Sequence, residues 1–212
     1  MIKVFLGGEG KNDIGTRSQD PMGDEVGVVE ALLRRVRADG WRVAGAISWQ
    51  SIRKYRAGAA RQRADHADAH NVRALVQRAY EESCELLAFA RDVDGEADRE
   101  RAIHDALETI ESLGFAEEYR YRLAIVGGVV KPKLEGWILC LRGVIGTDNM
   151  SRAAVDRALE AAGIELKSTS AYVAIVEACE LPTGACSLGD WLEQARATFA
   201  RLIDGQVTEP RM

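Results

Sequence analysis

Two acidic motifs, one with a single glutamate and one with two aspartates, follow apolar runs and could bind a divalent metal ion. Glu9 lies between two glycines, directly after a short apolar run. Asp92 and Asp94 belong to a motif that begins at Arg91, directly after the most apolar run, Cys84 to Ala90. Residues two apart on an extended segment point the same way. Carboxylates this close repel each other, and a cation such as magnesium or manganese relieves the repulsion. We therefore expect an acidic metal site built from Glu9, Asp92 and Asp94.

A third charged motif follows a fourth apolar run. It contains Lys131, Lys133 and Glu135, which add a further carboxylate and cations that could neutralise a phosphate. Each motif alone is also compatible with an ordinary structural role: a solvated polar turn, a turn with a helix cap, or a charged first turn of a helix. Together they are more informative, because each follows a different predicted strand at the same polarity. That arrangement could hold one or two metal ions over a phosphodiester.

The spacing of these motifs does not fit a P-loop, an EF-hand or a zinc site. A phosphate-binding P-loop needs a glycine five residues before its Gly-Lys pair and Ser or Thr after it, but Phe5 and Asn12 occupy those positions. A calcium-binding EF-hand loop lacks its later ligands here. His66 and His70 lack the further ligands of a zinc site, so we expect an exposed pair.

The positioning elements follow from hydrophobic spacing. Short apolar runs predict strands, and apolar residues at helical spacing alternate with them, which predicts an α/β fold with a mainly parallel sheet flanked by helices. After Gly146 the pattern is helical. We expect an α/β domain over residues 1–145, a helical extension packed on it over 146–204, and a flexible tail over 205–212. The strands are predicted at 2–7, 41–49, 84–90 and 121–126, and the helices at 24–39, 70–82, 98–113, 132–141, 151–162, 170–179 and 187–203.

Composition narrows the functional classes. The chain has 212 residues, enough for one full hydrophobic core, and no apolar stretch long enough for a membrane span. Its net charge of −5 argues against a protein that binds nucleic acid over its whole surface. It does not argue against an enzyme that contacts nucleic acid at one local site. The basic stretch from Arg53 to Arg63 could follow a nucleic-acid backbone or be a solvated loop. The four cysteines are expected to be buried or inert thiols, and the location cytoplasmic.

The motifs resemble those of TOPRIM domains. Members have a Glu in a glycine turn after the first strand and an Asp-x-Asp after a later strand. Glu9-Gly10-Lys11-Asn12-Asp13 is similar to the Glu-Gly-Lys-Asp-Asp motif of ribonucleases that mature 5S ribosomal RNA, and Asp92-Val93-Asp94-Gly95 matches the second motif. The stretch Lys133-Leu134-Glu135-Gly136-Trp137 resembles a Glu-x-Trp segment of small TOPRIM-like proteins related to OLD-family nucleases, often associated with ATPases in phage defence. The resemblance covers roughly residues 1–140.

The resemblance implies roles for these residues. Glu9 would be a general base or metal ligand, and Asp92 and Asp94 would hold the metal. Asp13 and Glu135 could complete a second metal site, and Lys11 or Lys133 could contact the phosphate.

The implied function is a magnesium-dependent or manganese-dependent nuclease acting on DNA or RNA, an anti-phage effector with an ATPase partner. Two alternatives stay open: a non-catalytic or regulatory partner with a vestigial acidic site, and a nucleotide-binding phosphotransfer enzyme. No membrane association is expected, and self-association is compatible with the sequence.

Overall fold

A computed structural model describes residues 1–18, 23–55, 66–184 and 186–203. Its core is one four-stranded sheet in which every pairing is parallel, in the order β2-β1-β3-β4. The strands are β1 (Ile2–Gly8), β2 (Trp41–Ser48), β3 (Leu86–Asp92) and β4 (Ala124–Val130). The predicted α/β class with a parallel sheet is therefore confirmed.

Helices cover both faces of this sheet. They are α1 (Lys11–Ile14), α2 (Val28–Val36), α3 (Trp49–Ile52), α4 (Ala67–Glu81), α5 (Ala97–Thr109), α6 (Phe115–Tyr119), α7 (Leu134–Leu141), α8 (Arg152–Ala161), α9 (Thr169–Ala178) and α10 (Ser187–Ile203). Within the described ranges no helix is both long and apolar enough to cross a membrane.

The alternating side chains of the strands divide the core into two clusters. Leu86 and Ala88 belong to a cluster with α2 and α7 to α10, whereas Leu87 and Phe89 belong to a cluster with α3 to α6. Strand β3 is fully buried from Leu86 to Ala90 because it lies between β1 and β4 and under helices on both sides. This confirms the central strand that the apolar run predicted.

The helices after residue 146 share this core with the sheet. Val155, Tyr172, Leu192 and Phe199 are buried in the same cluster as β1 and β3. Side chains of α10 also cover the edge strand β4: the amide of Gly127 donates to Gln194 Oε1 at 3.1 Å. The C-terminal helices therefore complete one face of the molecule. The tail predicted over 205–212 lies outside the described residues.

Several element boundaries differ from those that hydrophobicity predicts. Strands β3 and β4 begin later and run further, so that Asp92 pairs with Val130 in the sheet. The glycine-rich turn after β1 contains the single helical turn α1. Helix α7 begins at Leu134, after Lys133, whose extended backbone makes it the N-cap residue. Backbone pairing between neighbouring strands, which hydrophobicity does not report, sets the limits of the strands.

Candidate functional site

The carboxyl ends of β1, β3 and β4 meet at one edge of the sheet, where ligands bind in open α/β folds. A cleft of about 420 Å³ opens there. Its lining combines acidic and basic side chains from the loop after β1, the end of β3, the start of α7 and the C-terminal helices. The residues are Glu9, Gly10, Lys11, Asn12, Asp13, Asp92, Lys133, Leu134, Glu135, Arg152 and Lys167.

Asp13 is the most deeply placed carboxylate of the loop after β1, with 5% of its surface exposed. Its Oδ2 accepts a hydrogen bond from the backbone amide of Glu9. A side chain at Gly8 would bring its Cβ within 2.5 Å of the Asp13 Cβ, so the glycine makes room for this carboxylate. Burial raises the pKa of Asp13 well above its usual value, and the negative charges of Asp92 and Glu135 raise it further.

Asp92 is the last residue of β3 and faces the cleft. Its Oδ1 accepts a hydrogen bond from the backbone amide of Leu134 at 2.9 Å, which joins the strand end to the start of α7. Burial, followed by repulsion from Asp94 and Glu135, raises the pKa of Asp92 to about 7. Asp13 and Asp92 therefore lie in a site that disfavours their negative charge.

Glu135 lies in the first turn of α7 and is 9% exposed. The hydroxyl of Tyr172 on α9 donates a hydrogen bond to its Oε1 at 3.3 Å. The Nζ of Lys133 lies 3.7 Å from Oε2 and is also bonded to Asp156 on α8. Glu135 is thus held by α9 and by the residue that caps its own helix, and Lys133 is committed to two carboxylates.

The side chain of Glu9 is 33% exposed, more than those of Asp94 and Glu135. Its Oε1 accepts hydrogen bonds from the guanidinium of Arg91 and, at 3.2 Å, from the backbone amide of Asp92. The loop after β1 is therefore fastened to the end of β3. The ion pair with Arg91 occupies the carboxylate that the sequence assigned to metal binding.

Asp94 departs from the expected geometry. The extended segment ends at Asp92, and the backbone of Asp94 is left-handed, with φ of 56°. Its carboxylate pairs with Arg99 and Arg152, each at 3.0 Å, and it does not line the cleft. The two residues therefore do not share one extended segment, and the carboxylate of Asp94 is engaged by two arginines.

A buried ionic network supports this edge from the other face of the sheet. Asp68 on α4 accepts hydrogen bonds from Trp49 Nε1 at 2.7 Å, from Arg91 Nε at 3.3 Å and from Arg99 Nε at 2.9 Å. Arg99 also donates to the carbonyl oxygen of Asp92 at 2.8 Å. Burial and the neighbouring charge of Arg99 lower the pKa of Arg91 to about 10. This network fixes the residues that lead out of β3.

Most residues of this network, and several residues around the cleft, have no role that the sequence predicts. Arg91 was visible beside Asp92, but its pairing with Glu9 joins positions 82 apart. Tyr172, Arg152 and Lys167 belong to a region with no recognisable motif. Their relation to the cleft depends on how α8 and α9 pack, and no local pattern reports that.

The donor chemistry of the cleft fits a hard divalent cation. Asp13, Asp92 and Glu135 supply carboxylate oxygens, which magnesium and manganese prefer as ligands. These carboxylates repel one another, and a bound cation would reduce that repulsion. In this structure, however, no choice of one carboxylate oxygen from each of the three residues places all three oxygens within 4.8 Å of one another. In the described part of the chain the set that meets this distance is His104, Asp105 and Glu108, which lie exposed along α5.

The histidines, the cysteines and the described part of the basic stretch lie outside the cleft lining. His66 is half-buried and caps α4 by accepting from the Asp68 amide, and His70 bonds to the Tyr55 carbonyl, so these histidines are not an exposed pair. Cys84 is fully buried, and all four cysteines are free thiols. Of the basic stretch, Arg56, Arg61 and Arg63 lie outside the described residues.

Comparisons of this chain with protein-family models, with curated proteins and with solved structures found no match.

Proposed function

We propose that this protein is a metal-dependent hydrolase that cleaves phosphodiester bonds in nucleic acid. The observation that carries the proposal is the convergence of Asp13, Asp92 and Glu135 in one cleft, from three segments far apart in sequence. Repulsion among them contributes to the raised pKa values of Asp13 and Asp92. A cation in the cleft would relieve that repulsion and stabilise the charged forms.

Asp13, Asp92 and Glu135 are the residues that would hold magnesium or manganese, with Glu9 at the mouth of the cleft. A bound ion would supply Lewis-acid chemistry to a phosphodiester. The protein's own groups supply the positioning. Arg91 and the Asp92 amide orient Glu9, and the Leu134 amide orients Asp92.

The finer proposal rests on the resemblance of the motifs to TOPRIM domains. It assigns a TOPRIM-type nuclease that acts in the cytoplasm as an anti-phage effector with an ATPase partner. The free thiols are consistent with a reducing compartment. Asp94 acts in this proposal from outside the cleft, by holding Arg99 and Arg152 beside the strand end.

One observation favours a non-catalytic role. Glu9 and Glu135 already have cationic partners in Arg91 and Lys133, as expected of an acidic site that serves structure alone. In that case the cleft would bind no divalent ion. The mutual repulsion of Asp13, Asp92 and Glu135, which adds to burial in raising the pKa values of Asp13 and Asp92, weighs against this alternative.

The test is cleavage of plasmid DNA, single-stranded DNA and transfer RNA in magnesium or manganese. Wild type is compared with Asp13→Asn and Asp92→Asn, and with Asp98→Asn as a control that removes an exposed carboxylate elsewhere. Manganese binding to the same proteins is measured by calorimetry. We expect cleavage and binding in wild type and the control, and loss of both in the cleft variants. Manganese binding that survives both cleft substitutions would contradict the proposed site, and absence of both activities in wild type would favour the non-catalytic role.

A further inference from the structure

Three helices begin beside the cleft, and each carries a basic residue at its start. Lys133 is the N-cap of α7, Arg152 is the first residue of α8, and Lys167 lies two positions before α9. All three line the cleft. Unbonded amides at a helix start and the partial positive charge there favour anions, so the helices add to the charge of the side chains.

These cations differ in what already binds them. Lys133 is buried and committed to Asp156 and Glu135, and Lys11 pairs with Glu25 at 3.0 Å. Arg152 has its side chain 57% exposed, with Asp94 as its ionic partner. Lys167 is exposed and has no ion pair with any residue in the described ranges. Arg152 and Lys167 are therefore the lining cations most available to a ligand.

The backbone of Lys167 is held in place beside the carboxylates. Its φ is 62°, a conformation that non-glycine residues adopt infrequently. Its amide donates to the Tyr172 hydroxyl at 2.9 Å, and the same hydroxyl donates to Glu135. Two residues later, the Thr169 hydroxyl donates to Asn12 Oδ1 at 2.9 Å. The start of α9 is thereby bonded to two segments of the acidic floor.

The cleft thus has an acidic floor and a basic side contributed by the C-terminal helices. A free carboxylate ligand would be attracted to the basic side alone, and a cation to the acidic floor alone. A strand with phosphates at regular intervals matches both halves, since one phosphate can face the metal-binding floor while its neighbours face the cations.

We propose that Arg152 and Lys167 bind the backbone phosphates of the nucleic-acid strand that the cleft acts on. The inference rests on the proposed function for the identity of the ligand. It adds that the region after residue 146, which the motifs do not reach, supplies the substrate contacts. Both residues act by charge and hydrogen bonding to phosphate oxygens, without base recognition.

The experiment measures binding separately from cleavage. Fluorescein-labelled DNA and RNA strands of about 12 nucleotides, within the span of known single-strand sites, are titrated with the full chain in calcium. Fluorescence anisotropy gives the affinity, and a gel checks that the strand stays intact. The salt concentration is varied from about 50 to about 200 mM, because each phosphate contact makes the slope of log affinity against log salt more negative by about 0.7 for single strands.

The variants are chosen to remove charge and keep the backbone. Arg152→Gln and Lys167→Asn are compared with wild type, and asparagine tolerates the left-handed conformation of position 167. Arg157→Gln is the matched control, since Arg157 is exposed on the same helix as Arg152 and does not line the cleft. Lys167→Arg keeps the charge.

We expect each neutral variant to weaken binding about 3- to 10-fold at low salt and to make the negative salt slope shallower by about 0.7. Arg157→Gln and Lys167→Arg should behave like wild type. Unchanged affinity and slope in both neutral variants would overturn the inference, and the proposed function would stand if wild type still cleaved. Binding that depends on both residues without cleavage in magnesium or manganese would support the inference and contradict the hydrolase. No binding by wild type would overturn the inference, and the cleavage assay in magnesium or manganese would then decide the proposed function by itself.

Discussion

Tyr172 donates a hydrogen bond from its buried hydroxyl to Oε1 of Glu135 at 3.3 Å. Residue 172 lies on α9 and residue 135 on α7, so the contact joins the C-terminal helices to the acidic cleft. The same hydroxyl accepts from the Lys167 amide at 2.9 Å. A single phenol thus connects the carboxylate floor of the cleft to the start of α9.

Removing this hydroxyl should destabilise the fold. In Tyr172→Phe, Glu135 and the Lys167 amide both lose a hydrogen-bond partner, and we expect the free energy of unfolding to fall by about 1–3 kcal/mol. Urea denaturation measures the change. Tyr119→Phe is the control, because Tyr119 stacks on Tyr80 through its ring and should lose less than about 0.5 kcal/mol. Equal stability of Tyr172→Phe and wild type would show that the hydroxyl contributes nothing.

Asp92→Asn should stabilise the protein without metal at alkaline pH. The folded-state pKa of Asp92, about 7, lies above its usual value of 3.8, so the native state holds its proton more tightly than the unfolded chain. The contribution of protonated Asp92 to the free energy of unfolding is therefore fully present below about pH 4 and is lost as the pH rises to about 7. At pH 8 with a chelator, we expect the variant to be more stable by about 1–3 kcal/mol, with no difference near pH 4. Thermal unfolding at the two pH values measures this, and an equal difference at both would contradict the raised pKa.

Asp94 and Asp92 should contribute unequally to cleavage. Asp92 lines the cleft, whereas Asp94 pairs with Arg99 and Arg152 outside it. If the protein is the proposed hydrolase, we expect Asp92→Asn to lower the rate at least about 100-fold and Asp94→Asn about 10-fold, as for a residue that orients a ligand. Initial rates at saturating manganese make the comparison. A larger loss in Asp94→Asn would indicate that Asp94 enters the cleft when substrate binds.

Asp68 should be among the most sensitive polar positions. It is buried and accepts from Trp49, Arg91 and Arg99, so Asp68→Ala leaves two guanidinium groups without this partner. We expect a loss of about 3–5 kcal/mol in the free energy of unfolding. The control is Asp98→Ala, because the side chains of Asp98 and Arg101 are 80% and 72% exposed, and exposed pairs contribute little. Urea denaturation of both variants tests the difference, and equal losses would contradict the importance of the buried network.

The candidate site was predictable in part. Acidic motifs that follow predicted strands located Glu9, Asp92 and Glu135 near one edge of a parallel sheet, since strand polarity follows from alternating strands and helices. The direction of Asp94 was not predictable, because a left-handed turn and two arginines from other helices determine it. Asp13 was identified by resemblance, while its burial follows from close packing against Gly8.

The sequence by itself determined the α/β class, the central buried strand β3 and the segments that carry the carboxylates, because hydrophobic spacing and glycine turns are local properties. The tertiary structure decided which charges meet. Arg91 reaches Glu9 across 82 positions, and Tyr172 reaches Glu135 across 37. Such contacts depend on strand order and on how the C-terminal helices pack against the sheet. Neither leaves a periodic signal in the residues concerned, so the charge balance of the cleft follows from the folded chain alone.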